Sequence, residues 1–240
     1  MLSPFIGEVV LYPYNFAPTN WVSCAGQLIQ ISQDTVLASL LGTEFGGDGK
    51  QTFGLPNYQS VSPPNMLYCI ALIGILPGGN RPSAIGEISL LPYEAPRGWL
   101  ECNGQLLRIA DFPELFQVIG TKFGGDGQLS FAVPNLISTP PPLPTSRSIY
   151  CISAFGVPAP SEPFLGEIRL FPYSFAPNGW STCEGQLLLI EGNDSLFSLI
   201  GDNFGGNGTE DFALPDLSNA TVPEGLQYFI AAKGVYPNRN

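Results

Sequence analysis

Apolar and polar positions alternate in short bursts along this chain, and the same series of bursts comes round three times. Glu8 to Tyr12 alternates and carries β-branched residues, which predicts a strand that Pro13 ends. The Ala17-Pro18 stretch before Trp21 predicts a turn. Gln27 to Ile31 predicts a second short strand, matched by residues 106–109 and 187–190. The period then lengthens, and Leu37, Leu40 and Leu41 mark one face of a short helix over 35–41. Leu115, Val118 and Ile119 do the same over 113–119, and Leu196, Leu199 and Ile200 over 195–200. In the middle helix Asp111 is placed to cap, Glu114 completes a capping box and Pro113 suits the first turn. Gly42, Gly120 and Gly201 supply the stops. The apolar segments that begin at Tyr68, Tyr150 and Tyr228 predict core strands.

The bursts align residue by residue. Ile6-Gly7-Glu8 recurs as Ile85-Gly86-Glu87 and Leu165-Gly166-Glu167, and the chain's 3 tryptophans, Trp21, Trp99 and Trp180, hold one position. CAGQLI from Cys24, CNGQLL from Cys102 and CEGQLL from Cys183 follow, then FGGDG, FGGDG and FGGNG from Phe45, Phe123 and Phe204. Three units result: 1–80, 81–160 and 161–240, with Pro- and Gly-rich joints near 75–84 and 157–164. The middle unit also carries a proline-rich loop from Ser138, expected to be polyproline-like and surface-lying. One unit of this size with one short helix makes a small core. Three units packed around a pseudo-threefold axis would bury more; three separate beads on a string are the other arrangement open.

The order G-E-I/V, L-x-P-Y, A-P-x-x-W, C-x-G-Q-L-L, short helix, F-G-G-D-G and L-P-N resembles the tail collar domain. That domain occurs in short tail fibres of tailed bacteriophages and in bacterial microcystin-dependent proteins. The resemblance covers all three units and extends to the ending YFIAAKGVYPNRN. It implies a mainly β fold with one short helix per unit. Collar domains of phage fibres are homotrimers, so it also implies a covalent version of that trimer, packed as an intrachain pseudo-trimer. Fusion lets equivalent positions diverge, as Glu44, Lys122 and Asn203 have, and Lys50, Gln128 and Thr209. The chain departs from the family after the L-P-N motif. It runs LPNYQS, LPNLIS and LPDLSN, without the Arg-Gly-Arg segment and long insertion of the collar pattern, which favours a scaffold over a receptor-binding tip.

Composition narrows the function. Apolar residues make up 44% and charged residues 12%, which argues for a folded chain. The net charge of −11 repels phosphate backbones, so nucleic acid is not an expected partner. Histidine is absent, which removes the usual general base and the commonest zinc ligand. The 5 cysteines lack a CxxC pair and sit in apolar or turn settings, as structural thiols do. No apolar run approaches the ~20 residues of a membrane span. The start, MLSPFIGEVVLYPY, lacks the pattern of a cleavable signal peptide.

The candidate chemistry is sparse. Gly46, Gly47 and Asp48, with Gly124, Gly125, Asp126 and Gly205, Gly206, Asn207, form a structural turn or a ligand contact. The third copy's Asn keeps turn-forming ability and drops the charge a calcium loop needs. Gln27, Gln105 and Gln186 suit either sugar binding or satisfaction of backbone groups. Glu8, Glu87 and Glu167 either meet at an axis and take a cation, or are exposed or paired with Arg. Asn193, Asn207 and Asn219 lie in glycosylation sequons. No nucleophile–base pair or paired-acid cleft is evident, so no catalytic residue, metal ligand or cofactor site is assigned.

The expected function is a non-enzymatic structural subunit of an extracellular fibre, virion or phage-tail-like appendage that self-associates. Met1, Leu2, Phe5, Ile6, Phe229, Ile230, Val235 and Tyr236 are candidate assembly residues for terminal strand exchange. Other tail proteins or surface glycans are further candidate partners. The alternative is an adhesin that recognises cell-surface glycans through Tyr14, Tyr93 and Tyr173.

Overall fold

A computed structural model describes residues 4–77, 83–137, 148–156, 163–172, 175–220 and 225–238. Each repeat contributes the same six elements in the same order. Repeat 1 has β1 (Val9–Tyr12), β2 (Trp21–Ser23), β3 (Leu28–Gln30), α1 (Thr35–Leu41), β4 (Thr52–Gly54) and β5 (Leu67–Ala71). Repeat 2 has β6 (Ile88–Leu91), β7 (Trp99–Glu101), β8 (Leu106–Arg108), α2 (Pro113–Ile119), β9 (Ser130–Ala132) and β10 (Ile149–Ser153). Repeat 3 has β11 (Ile168–Phe171), β12 (Trp180–Thr182), β13 (Leu187–Leu189), α3 (Asp194–Ile200), β14 (Asp211–Ala213) and β15 (Gln227–Ala231).

In each repeat the last strand is the centre of a three-stranded antiparallel arm. β5 lies between β1 (Val9↔Ile70) and β2 (Trp21↔Ala71), and β10 and β15 are placed likewise. The first strands β1, β6 and β11 then join the arms to one another. Val9 faces Leu90, Ile88 faces Leu170 and Ile168 faces Leu11. Those three pairs are one contact repeated: the residue after the glutamate meets the residue three beyond the next repeat's glutamate. A ring of contacts that closes on itself defines a pseudo-threefold axis, so the chain is an intrachain pseudo-trimer built on one curled 9-stranded sheet. Separate beads are excluded.

The cores cross the repeat boundaries. Tyr12, Tyr14 and Trp21 pack in one cluster with Leu196, Ile200 and Phe212 of repeat 3. Leu170 and Leu226 of repeat 3 join Leu115, Ile119 and Phe131 of repeat 2, and Leu90 of repeat 2 joins Leu37 and Phe53 of repeat 1. A fully buried side chain of this size is worth about 1.5–3 kcal/mol, so each repeat stabilises its neighbours. Each helix lies in the connection between the two strands of a small antiparallel pair, β3–β4, β8–β9 or β13–β14, and Leu37, Leu115 and Leu196 on the helices are buried.

Two local expectations need correction. The cap position of α2 is Phe112, not Asp111, and no side chain caps that helix. Asp111 lies one residue too early and instead faces Arg108 at 3.9 Å on the surface. The capping bond is made in repeat 1, where Asp34 accepts from the Leu37 N–H at 2.8 Å. The third helix starts one residue earlier than its apolar stripe suggests, at Asp194. The proline-rich loop from Ser138 to Arg147 and the central residues of both joints lie outside the described residues.

Candidate functional site

The glycine corner is built by its acid or amide. Asp48 Oδ1 accepts from the backbone N–H groups of Lys50, Gln51 and Thr52 at 2.9, 2.8 and 2.8 Å. Asp126 does the same with Gln128, Leu129 and Ser130 at 2.9, 2.8 and 2.8 Å. Asn207 Oδ1 accepts from Thr209, Glu210 and Asp211 at 2.8, 2.7 and 3.2 Å. The shared group is a carbonyl-type oxygen, and it closes the turn onto the following strand. The backbone N–H groups hold the Asp48 carboxyl well below the usual range and lower that of Asp126 to about 2. Gly47 has φ 92°, and a Cβ there would stand 2.5 Å from the Thr52 carbonyl oxygen. Gly125 and Gly206 are hemmed in the same way by Phe131 Cα at 2.4 Å and Phe212 Cα at 2.5 Å. Gly46, Gly124 and Gly205 also take positive φ, at 107°, 122° and 125°. The Oδ1 atom of each corner residue is therefore engaged with the corner's own backbone.

The glutamines are engaged similarly. Gln27 accepts from the Ala25 N–H at 3.1 Å and donates to the Ser23 carbonyl at 2.8 Å. Gln186 accepts from Glu184 at 3.1 Å and donates to Thr182 at 2.7 Å, and Gln105 donates to Glu101 at 3.3 Å. The tyrosines considered for glycan stacking are not on the surface. Tyr14 and Tyr93 are buried between repeats, and Tyr173 lies outside the described residues. Tyr93 donates from its hydroxyl to the Ile6 carbonyl at 2.7 Å and covers Gly7, where a Cβ would stand 2.9 Å from its ring. Tyr14 covers Gly166 in the same way, at 3.0 Å. In repeats 1 and 3 the Gly of the G-E-I/V motif thus leaves room for a neighbouring repeat's tyrosine.

Glu8, Glu87 and Glu167 come together at the pseudo-threefold axis, all buried. One oxygen of each anchors its own loop, accepting from the N–H of Phe5, Ala84 and Phe164 at 3.0, 3.1 and 3.0 Å. The other oxygen faces inward, where the cation is the chain's own Arg169. Its Nε donates to Glu167, one terminal nitrogen donates to Glu87, and the other lies 3.8 Å from Glu8. Ser89 adds a hydroxyl bond to Glu8 at 2.9 Å. Arg169 escaped the sequence reading because repeats 1 and 2 carry Val10 and Ser89 at its position. The usable signal was spacing, since Arg169 stands two residues after Glu167 and so on the same face of a strand.

The described candidate assembly residues make contacts within the chain. Phe5 pairs with Ile75 and Phe164 with Val235 through single bridges, and Ile6 donates to the Ile75 carbonyl at 3.0 Å. Phe229 and Ile230 are buried in β15, and half-exposed Tyr236 meets the Ser198 hydroxyl at 2.9 Å. Met1 and Leu2 lie outside the described residues. All five cysteines are free and buried, and burial pushes their thiols up, Cys69 to about 12, so none forms a thiolate at neutral pH.

The phage tail collar domain matches the sequence three times, over residues 7–63, 86–141 and 166–222, most of the chain. The protein belongs to the phage tail collar domain family. Its three collar repeats are the three arms of the sheet. Neither a curated protein nor a solved structure matches the chain. The collar family is one of structural phage tail domains. Among the described residues no group of three His, Cys, Asp or Glu is placed to hold a metal, and no helix is long and apolar enough to cross a membrane.

Proposed function

We propose that this chain is a non-enzymatic structural subunit of a phage tail or a tail-like extracellular appendage, presenting a ready-made collar trimer from a single polypeptide. The closed ring of β1, β6 and β11 is the observation that carries this reading. It gives one chain the threefold form that a trimeric fibre end can stack on. The polar groups that could have marked a catalytic or sugar site are used on turns and backbone, which fits a scaffold. Repeated subunit contacts have a natural location: Leu28, Leu106 and Leu187 hold one position in the three repeats and are 59%, 65% and 59% exposed. Three equivalent exposed leucines offer a threefold apolar contact to another copy or to a tail protein of matching symmetry. Terminal strand exchange would use the pairings of Phe5 and Ile6 with Ile75, remade between chains.

Electron microscopy and light scattering of the concentrated protein test the proposal. Filaments or stacked particles are expected. Replacing Leu28, Leu106 and Leu187 by Ser should abolish them if the leucines form the contact, whereas removing residues 1–6 should abolish them if strands are exchanged. A monodisperse monomer at all concentrations, with and without a phage tail extract, would sink the proposal.

A further inference from the structure

We infer that Arg169 is the residue that commits the three repeats to closing on one another within a single chain, one of each kind around the axis. Three buried carboxylates converge there from three repeats, and one guanidinium reaches all of them. The equivalent places in the other repeats hold Val10 and Ser89, and the Ser89 hydroxyl turns to the same cluster. Among the described residues the axis therefore takes three acids, one guanidinium, one hydroxyl and one isopropyl group.

No ring of identical repeats supplies that set. Three copies of repeat 1, drawn from three chains, would bring three glutamates together with valines where the guanidinium belongs. Three copies of repeat 2 would bring three serines. Buried charge left without its partner is strongly unfavourable, so both rings are penalised. Three copies of repeat 3 would crowd three guanidinium groups into a space that holds one. The cavity beside the axis, lined by Tyr68, Tyr150 and Tyr228 with Glu8 and Arg169, measures about 30 Å³, enough for roughly one water and not for two more arginine side chains. Only a ring containing each repeat once fits, and the covalent chain delivers it. Arg169 is a positioning residue for assembly of the fold, and its role is independent of whether the closed unit later polymerises.

The pseudo-symmetry makes this testable by moving the arginine. In the full chain, R169V should lower the melting temperature by about 10 °C, the scale expected when one partner of a buried ionic cluster is removed from a protein this size. It should also cost amide-exchange protection in the peptides containing Glu8, Glu87 and Glu167 together. The swapped variants V10R/R169V and S89R/R169S restore one guanidinium to the axis from a different repeat. Either one should regain at least half of the lost melting temperature and the protection in all three peptides. If R169V alone gives no folded protein, recovery of folded monomer by either swap is the same positive result. The inference is overturned if R169V melts with the parent chain, or if neither swap improves on R169V. These readouts are taken on unassembled protein, so a failure to form fibres leaves them unaffected.

Discussion

At the scale of single residues, the fold distinguishes groups that need charge from groups that need only an oxygen. The corners of repeats 1 and 2 use Asp48 and Asp126, and that of repeat 3 uses Asn207 in the same three-bond geometry. The carboxyls titrate lower in the folded chain than the unfolded value of about 3.9. Their contribution is thus complete above that pH and is lost as pH falls through about 2, the folded value of Asp126. Between those limits amide exchange at Leu129 and Ser130 should accelerate while that at Glu210 and Asp211 holds, and D126N should remove the difference. A second residue-scale prediction concerns Tyr12, whose buried hydroxyl has no hydrogen-bond partner among the described residues. Repeats 2 and 3 place Leu91 and Phe171 there. An unsatisfied buried hydroxyl is costly, so Y12F should stabilise the chain by about 1 kcal/mol in urea denaturation.

At the scale of elements, what was legible depended on whether a pattern had room to show itself. The three helices have seven residues each and a visible apolar stripe, and their ends were placed to within one residue. The strands starting at Val9 and Leu67 were visible from alternation and apolar runs. The strand at Trp21 and the one at Thr52 have three residues each, too short for period two to emerge, and both are fixed by pairing with residues distant in sequence. Capping failed where local grammar met tertiary packing. Phe112 occupies the cap position of α2 because its ring packs against Phe155, with centroids 5.6 Å apart. Asp34, which does cap, has no such duty. D34A should therefore cost about 1 kcal/mol and fray α1 alone, measurable by exchange at Leu37. The site was legible as a set of equivalent glutamates, but its cation was not, because Arg169 breaks the very repetition that exposed everything else.

At the scale of the molecule, shared cores and the closed strand ring make the three repeats one cooperative unit. L115A, which empties a fully buried site in α2, should cost about 2–5 kcal/mol and lower a single calorimetric transition. Three separable transitions would show repeats that fold alone. The ring also has a direction. The tyrosine of repeat 2 lies on the glycine of repeat 1, and the tyrosine of repeat 1 lies on the glycine of repeat 3. A ribosome delivers the repeats in order, so Gly7 finds its cover as soon as Tyr93 emerges. Tyr14 must wait for Gly166, and both first-made glutamates must wait for Arg169. A chain that stops before repeat 3 leaves Tyr14 without the glycine it covers and takes Arg169 away from Glu8 and Glu87. The ring therefore closes only when the third repeat joins the other two, and the earlier repeats hold half of each contact with it until then.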